Sequence, residues 1–166
     1  MPLIVIDGNI GSGKSTLLRK LQNNNYHVLP EKIDDFQPWL ELYYQDMKRY
    51  ALGFQLKVLL SHMENQQYVN YDEMILSERS PLSCLEVFGK HLVNDNILCH
   101  LEQQLCNNLN LQYGWTPTKI IYLDVSPEIC LQRIAKRSRN GESSIPLEYL
   151  KSLNSKSDSS TIFLNS

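Results

Sequence analysis

The chain lacks most of the features that would mark a special environment. Its four cysteines, Cys84, Cys99, Cys106 and Cys130, form no Cys-x-x-Cys pair, and no histidine pair stands at metal-ligand spacing. Neither a zinc site nor a disulfide framework is therefore expected, and the cysteines read as reduced thiols, mostly core residues, of a cytoplasmic protein. An excess of one charge is also missing: the formal net charge is -2. That balance argues against bulk binding of a nucleic acid polymer or a charged membrane surface. No apolar run approaches the ~20 residues of a membrane span. Because Leu3–Asp7 already reads as a strand, no targeting segment is expected before it. No internal repeat is present. A length of 166 residues suits one domain, 1–166, large enough to cover a sheet with helices on both faces.

What is present alternates regularly. Leu3–Asp7 is apolar and β-branched, as a buried parallel strand should be, and a glycine-rich turn and a helix over Lys14–Asn24 follow it. His27–Pro30 reads as a second strand, Phe36–Met47 and Arg49–Tyr71 as helices, and Glu73–Ser77 as a third strand. Helices are expected over Leu82–Val93 and Asp95–Leu111, a fourth strand over Lys119–Asp124, and a helix from Pro127 to about Arg137. Ser138–Ser144 reads as a polar, mobile loop. A short helix starts at Pro146, Ser152–Ser160 reads as loop or fraying chain, and Thr161–Leu164 as a last small strand. The expected architecture is α/β: a doubly wound parallel sheet of about five strands flanked by helices.

Glycine is scarce, but three of the seven glycines fall between residues 8 and 13. Gly8-Asn9-Ile10-Gly11-Ser12-Gly13-Lys14-Ser15, followed by Thr16, fits the phosphate-loop pattern G-x-x-x-x-G-K-[ST], with a strand before it and a helix after it. Backbone N–H groups of such a turn point inward at phosphates, and the helix N-terminus adds its dipole. Lys14 is expected on the β- and γ-phosphates of ATP and the Ser15 hydroxyl on Mg2+. The loop alone does not name a reaction. No Asn-Lys-x-Asp guanine-reading motif is present, which disfavours a GTPase, and the chain is short for a helicase.

Four further segments, in order, resemble the deoxynucleoside kinase family over nearly the whole chain, and the resemblance implies a P-loop kinase fold with an arginine-rich lid. The first is Pro30-Glu31, where the family's glutamate is the general base for the nucleoside 5′-hydroxyl; Lys32 stands where the family usually has proline, and Phe36 takes the place of an aromatic residue often found as Trp. The second runs from Leu40 to Gln55, and by the match Tyr44 holds the sugar while Phe54 and Gln55 lie on the pocket helix with Gln55 reading the base. An amide suits that task because it offers both a donor and an acceptor. The third is Glu78-Arg79-Ser80: the acid is matched to magnesium binding, the arginine to the 5′-hydroxyl and the transferring phosphoryl group, and Phe88 to base stacking. The fourth, Arg133 to Glu142, is similar to the lid R-x-x-x-R-x-R, with Arg133, Arg137 and Arg139 on the triphosphate and Glu142 on the sugar 3′-hydroxyl.

The resemblance thus implies ATP-dependent phosphorylation of a deoxynucleoside, with Glu31, Arg79 and Lys14 as catalytic residues and a homodimer packed through helices. In purine- and cytidine-preferring members an arginine and an aspartate lie near the base. Here the matching positions are His62 and Cys84, with Val58 as a third pocket residue, so a pyrimidine-preferring or multisubstrate enzyme is expected. A nucleoside monophosphate kinase of thymidylate kinase type is the first rival. It should carry arginine after the second strand, where this chain has Glu31, Asp34 and Asp35. The second rival, a non-catalytic nucleotide-binding domain, has no need of Glu31, Arg79 and the arginine lid together.

Overall fold

The computed structural model describes residues 2–68, 73–139, 142 and 145–160, the last six by backbone alone. Four parallel strands form one sheet: β1 (Leu3–Gly8), β2 (His27–Leu29), β3 (Ile75–Glu78) and β4 (Lys119–Leu123), in the order β2-β3-β1-β4. The expected last strand, Thr161–Leu164, lies outside the described residues, so the sheet has four strands among them. Around it run α1 (Lys14–Asn23), α2 (Ile33–Gln45), α3 (Met47–Met63), α4 (Lys90–Asn94), α5 (His100–Tyr113), α6 (Pro127–Arg137) and α7 (Leu147–Ser160). Among the described residues no helix is long and apolar enough to cross a membrane.

Alternate side chains of the strands leave on opposite faces, and both faces are buried. Leu3, Val5, Leu29 and Ile75 pack with Trp115 in one cluster, while Ile6, Val28 and Leu76 pack with Leu18 of α1 in another. A parallel sheet buried on both faces and flanked by helices is the arrangement that the strand composition implies. The register pairs Ile6 with Glu78, Leu29 with Ser77 and Gly8 with Leu123. The four carboxyl ends therefore finish together, and the loops that leave them share one edge of the sheet.

Caps, more than apolar spacing, set the helix boundaries. Asp46 Oδ1 accepts from Arg49 N at 3.1 Å, so α3 starts at Met47. After Met63 the chain tightens into a 3₁₀ turn over Glu64–Tyr68, where a continuous helix to Tyr71 was expected; Tyr71 itself lies outside the described residues. The helix expected from Asp95 instead begins at His100. Asn96 takes φ 55, and Glu102 Oε2 accepts from Cys99 N at 2.7 Å in a capping box. Leu82–Val93 is not one α-helix but wide π-helical turns over Ser83–Gly89 followed by α4. The polar stretch Ser152–Ser160 is helix rather than loop. Leu150 and Leu153 are fully buried and anchor α7, and Ser152 Oγ donates back to Tyr149 O at 2.8 Å. Three of the cysteines are buried as expected, and Cys99 is exposed.

Candidate active site

The loop between β1 and α1 turns through three positive backbone angles, φ 146 at Gly8, 80 at Gly11 and 102 at Gly13. Space is as restrictive as conformation. A Cβ on Gly11 would lie 2.6 Å from the Cys130 carbonyl oxygen of α6, and one on Gly8 would lie 2.8 Å from Leu123 O of β4. Backbone occupies both places, so neither neighbour can step aside. Gly11→Ala is expected to lower stability by about 2–4 kcal/mol and to weaken nucleotide binding, as read by denaturant unfolding and a nucleotide titration.

Lys14 is buried, and its Nζ donates to Gly8 O at 3.1 Å and Asn9 O at 2.9 Å, folding back on the loop it belongs to. Burial, and after it the charge of Arg79, lowers its pKa to about 8. Ser15 Oγ donates to Glu78 Oε1 at 2.7 Å, so a hydroxyl and a carboxylate stand side by side at the head of α1. That pair fits magnesium, which is commonly held by one or two protein oxygens together with substrate phosphates. The Asn9 side chain accepts from Ile10 N of the loop and donates to Leu150 O, each at 2.8 Å, tying the loop to α7.

Beside this cradle lies a buried charge network. Arg79, the first residue beyond β3, has φ 62, a left-handed backbone unusual for a side-chain-bearing residue. Its Nη1 meets Asp7 Oδ1 at 3.2 Å, its Nε stands 3.6 Å from Glu31 Oε1, and its guanidinium lies 4.8 Å above the Phe88 ring. Burial opposes the Arg79 charge, but Glu31, Asp7 and Glu78 outweigh it, and the group remains a cation. The 3.6 Å separation is an ion pair without a hydrogen bond, so Glu31 is held near the arginine yet not consumed by it. Lys32, which follows Glu31, points elsewhere, to Glu64 at 2.6 Å.

A cavity of about 830 Å³ joins these parts. Ile10 to Thr16 of the loop, Arg133, Arg137 and Arg139 line it, as do Glu31, Phe36, Tyr44, Phe54, Gln55, Val58, His62, Glu78, Arg79, Cys84, Phe88 and Glu142. Of the residues expected at the site from sequence, Gly8 and Asn9 alone are absent from its wall. Gln55 is buried, and its Oε1 accepts from the Cys84 thiol at 2.7 Å. Burial pushes that thiol far up, so it stays protonated. His62 is buried at the same end, and burial lowers its pKa to about 4, leaving a neutral imidazole whose Nε2 has no partner among the described residues. Gln55, His62 and Cys84 thus bring polar groups to the cavity and no charge of their own.

Arg137 donates to both oxygens of Glu142, Nε to Oε2 at 2.8 Å and Nη2 to Oε1 at 2.7 Å, and Arg139 Nη1 reaches Oε1 at 3.2 Å. Glu142 is thereby buried between two arginines, while Arg133 Nη1 donates to Ser12 O at 2.9 Å. Burial raises the Tyr44 pKa, with Glu142 the next cause, so the phenol stays neutral. Asn140, Gly141, Ser143 and Ser144 of the expected mobile loop lie outside the described residues.

Sequence reasoning missed Asp7, Ser83 and Tyr149. Asp7 ends the otherwise apolar run Leu3–Ile6, and a carboxylate in that position is itself a signal that a partner waits inside. Ser83 donates to Asp7 Oδ2 at 2.5 Å from the first π-helical turn. Tyr149 lines the cavity from α7 and hydrogen-bonds Tyr43; nothing in its local sequence separates it from a surface aromatic.

The profile of the family described as deoxynucleoside kinase matches residues 4–166. Protein 143R of invertebrate iridescent virus 6 is 36% identical over 159 residues, 94% of this chain and 80% of its own. The thymidine kinase of ictalurid herpesvirus 1 is 32% identical over 162 residues, 89% of this chain and 69% of its own. A deoxyadenosine kinase of Dictyostelium discoideum is 34% identical over 160 residues, 90% of this chain and 62% of its own. With a phosphate loop, a carboxylate–arginine pair and a roomy polar pocket in one cavity, and with a family match over nearly its full length, the chain belongs to the deoxynucleoside kinase family.

Proposed function

We propose that the chain transfers the γ-phosphoryl group of ATP to the 5′-hydroxyl of a deoxynucleoside, with a pyrimidine preferred, and that Glu31 is the base. The observation that carries this reading is that Glu31 and Arg79, 3.6 Å apart, share one cavity with the phosphate loop and with the uncharged side chains Gln55, His62 and Cys84. A nucleoside whose base lies among Gln55, Val58, His62, Cys84 and Phe88 would direct its 5′-carbon at that pair. Tyr44 would hold the sugar, with Phe36 and Phe54 closing the aromatic side.

In this mechanism Glu31 accepts the 5′-hydroxyl proton as the oxygen attacks the γ-phosphorus in line. Arg79, which stays charged, and Lys14 neutralise the charge that spreads over the phosphoryl oxygens. Arg137 and Arg139 exchange Glu142 for the triphosphate, which frees that carboxylate for the sugar 3′-hydroxyl and excludes water. Magnesium, held by Ser15 and Glu78, would supply further charge neutralisation at the phosphates.

Pyrimidine preference follows from the missing charge. The Cys84 thiol and His62 imidazole are both neutral, and Gln55 is left to read the base edge. Pairing of two copies through helices is part of the same reading; Leu101 and Leu105, one turn apart on α5, are both exposed. Light scattering would give twice the chain mass.

The test is ATP-dependent phosphorylation of the four natural deoxynucleosides, with thymidine monophosphate as a fifth acceptor. Turnover is expected with nucleosides, fastest with thymidine or deoxycytidine. Turnover of the monophosphate alone would transfer the site to the monophosphate kinase reading and remove the role given to Glu31. A clear preference for deoxyguanosine would remove the argument from the uncharged pocket.

A further inference from the structure

Asp7 is buried at the end of β1, directly before the phosphate loop, and its carboxylate is held from three directions. Oδ1 accepts from Gly8 N at 2.7 Å and from Arg79 Nη1 at 3.2 Å, and Oδ2 accepts from Ser83 Oγ at 2.5 Å. These contacts join β1, the residue beyond β3 and the helical turns after it. The Arg79 backbone needs such a frame. Its left-handed φ of 62 persists because Arg79 N donates to Ile6 O at 3.2 Å and Ser77 Oγ donates to Arg79 O at 3.1 Å. The Arg79 side chain is then fixed at one end by Asp7 and presents its Nε to Glu31 across 3.6 Å.

We propose that Asp7 is a positioning residue for phosphoryl transfer: by holding Arg79 Nη1 it keeps the guanidinium from closing a hydrogen-bonded pair with Glu31 and leaves the Glu31 carboxylate open to the nucleoside 5′-hydroxyl. The physical basis is competition. A guanidinium is a planar fork that pairs two carboxylate oxygens at once when nothing else holds it. Two carboxylates, Asp7 on β1 and Glu31 in the segment after β2, face this one fork. Asp7, anchored by Ser83 and by the loop N–H, takes the hydrogen bond, and Glu31 is left with charge attraction alone. The inference rests on the roles given above to Glu31 and Arg79.

Asp7→Asn is expected to lower kcat by about 10–100-fold, with KM for ATP and for the nucleoside changed by less than about threefold. Asp7→Glu keeps the carboxylate and should recover turnover to within about fivefold of the parent, while Ser83→Ala, which frees one side of Asp7, should lower kcat by a few-fold. The decisive measurement is a double-mutant cycle with Arg79→Ala. If Asp7 acts through Arg79, adding Asp7→Asn to Arg79→Ala costs less than about twofold in kcat, because the group it positions is already gone. A full multiplicative loss in that background would overturn the proposal, as would a raised KM for ATP with kcat retained, which would assign Asp7 to the loop through Gly8 N. Melting temperatures of all the variants separate turnover from folding, and Ser83→Ala and Asp7→Glu keep the test open should Asp7→Asn fold poorly. Parent-like turnover of Arg79→Ala alone would instead defeat the reading of Arg79 itself.

Discussion

Replacing Glu31 by glutamine should lower turnover by about 10²–10⁴-fold while leaving ATP affinity within about twofold. The amide has the shape of the carboxylate but cannot take a proton, so the change isolates proton transfer from packing. Glu31 leaves the carboxyl end of β2, lines the cavity, and keeps a side-chain exposure of 15%, so it is accessible to an acceptor and screened from bulk water. Stability should change little, since Arg79 retains its hydrogen bond to Asp7 and its place over Phe88. Steady-state kcat and KM for the nucleoside, with a separate nucleotide titration, divide the possibilities. A fall in kcat alone supports proton abstraction. A rise in nucleoside KM with kcat retained would make Glu31 a binding group. Unchanged turnover would defeat the mechanism, because the 5′-hydroxyl proton would then not pass to Glu31.

The parts of the site that could be read in advance are those whose chemistry is spelled out locally. Leu123 O and Cys130 O leave no room for a side chain at Gly8 and Gly11, Gly13 takes φ 102, and that need shows in the sequence as three glycines within six residues. Arg79 and Glu31 were placed by the resemblance to the family, and the structure sets each just beyond a short strand, where parallel strands bring their carboxyl ends to one edge. Helix limits were less accessible. Apolar spacing continues past Met63, where the chain instead tightens into the 3₁₀ turn, and begins before His100, where the pairing of Cys99 with Glu102 sets the start of α5. The helix over Ser152–Ser160 was hidden by its serines. Its support is tertiary, from Leu150 and Leu153 in the core, and local composition carries no trace of it. Asp7 was hidden for the same reason, since its partners Arg79 and Ser83 lie more than seventy residues away.

Lys14→Met should lower phosphotransfer by at least about 10³-fold and abolish a proton uptake that accompanies nucleotide binding in the parent. The argument starts from burial. Lys14 is enclosed, and its pKa of about 8 reflects first the loss of water and next the Arg79 charge, against the opposing pull of Glu31, Asp7 and Glu78. At pH 8 roughly half of the empty sites then hold an uncharged amine. A triphosphate on the loop favours the ammonium form, so binding at pH 8 should take up as much as about half a proton, and almost none at pH 6. Calorimetry in buffers of different ionisation enthalpy measures this directly. ATP affinity should fall as pH rises above 8, approaching tenfold per pH unit until the bound-state pKa is reached. The sign for stability is the reverse. The folded pKa lies below the unfolded value, so charged Lys14 opposes folding below pH 8, and that opposition fades between pH 8 and about 10.5. The empty Lys14→Met protein should therefore melt at or above the parent at pH 7, while ATP no longer raises its melting temperature. A variant that melts lower, binds ATP normally and still takes up a proton would show that the titrating group is not Lys14. An equal loss of ATP affinity at pH 6 and pH 9 would show that the lysine holds its charge in the empty site, and that its bonds to Gly8 O and Asn9 O are those of an ammonium ion throughout.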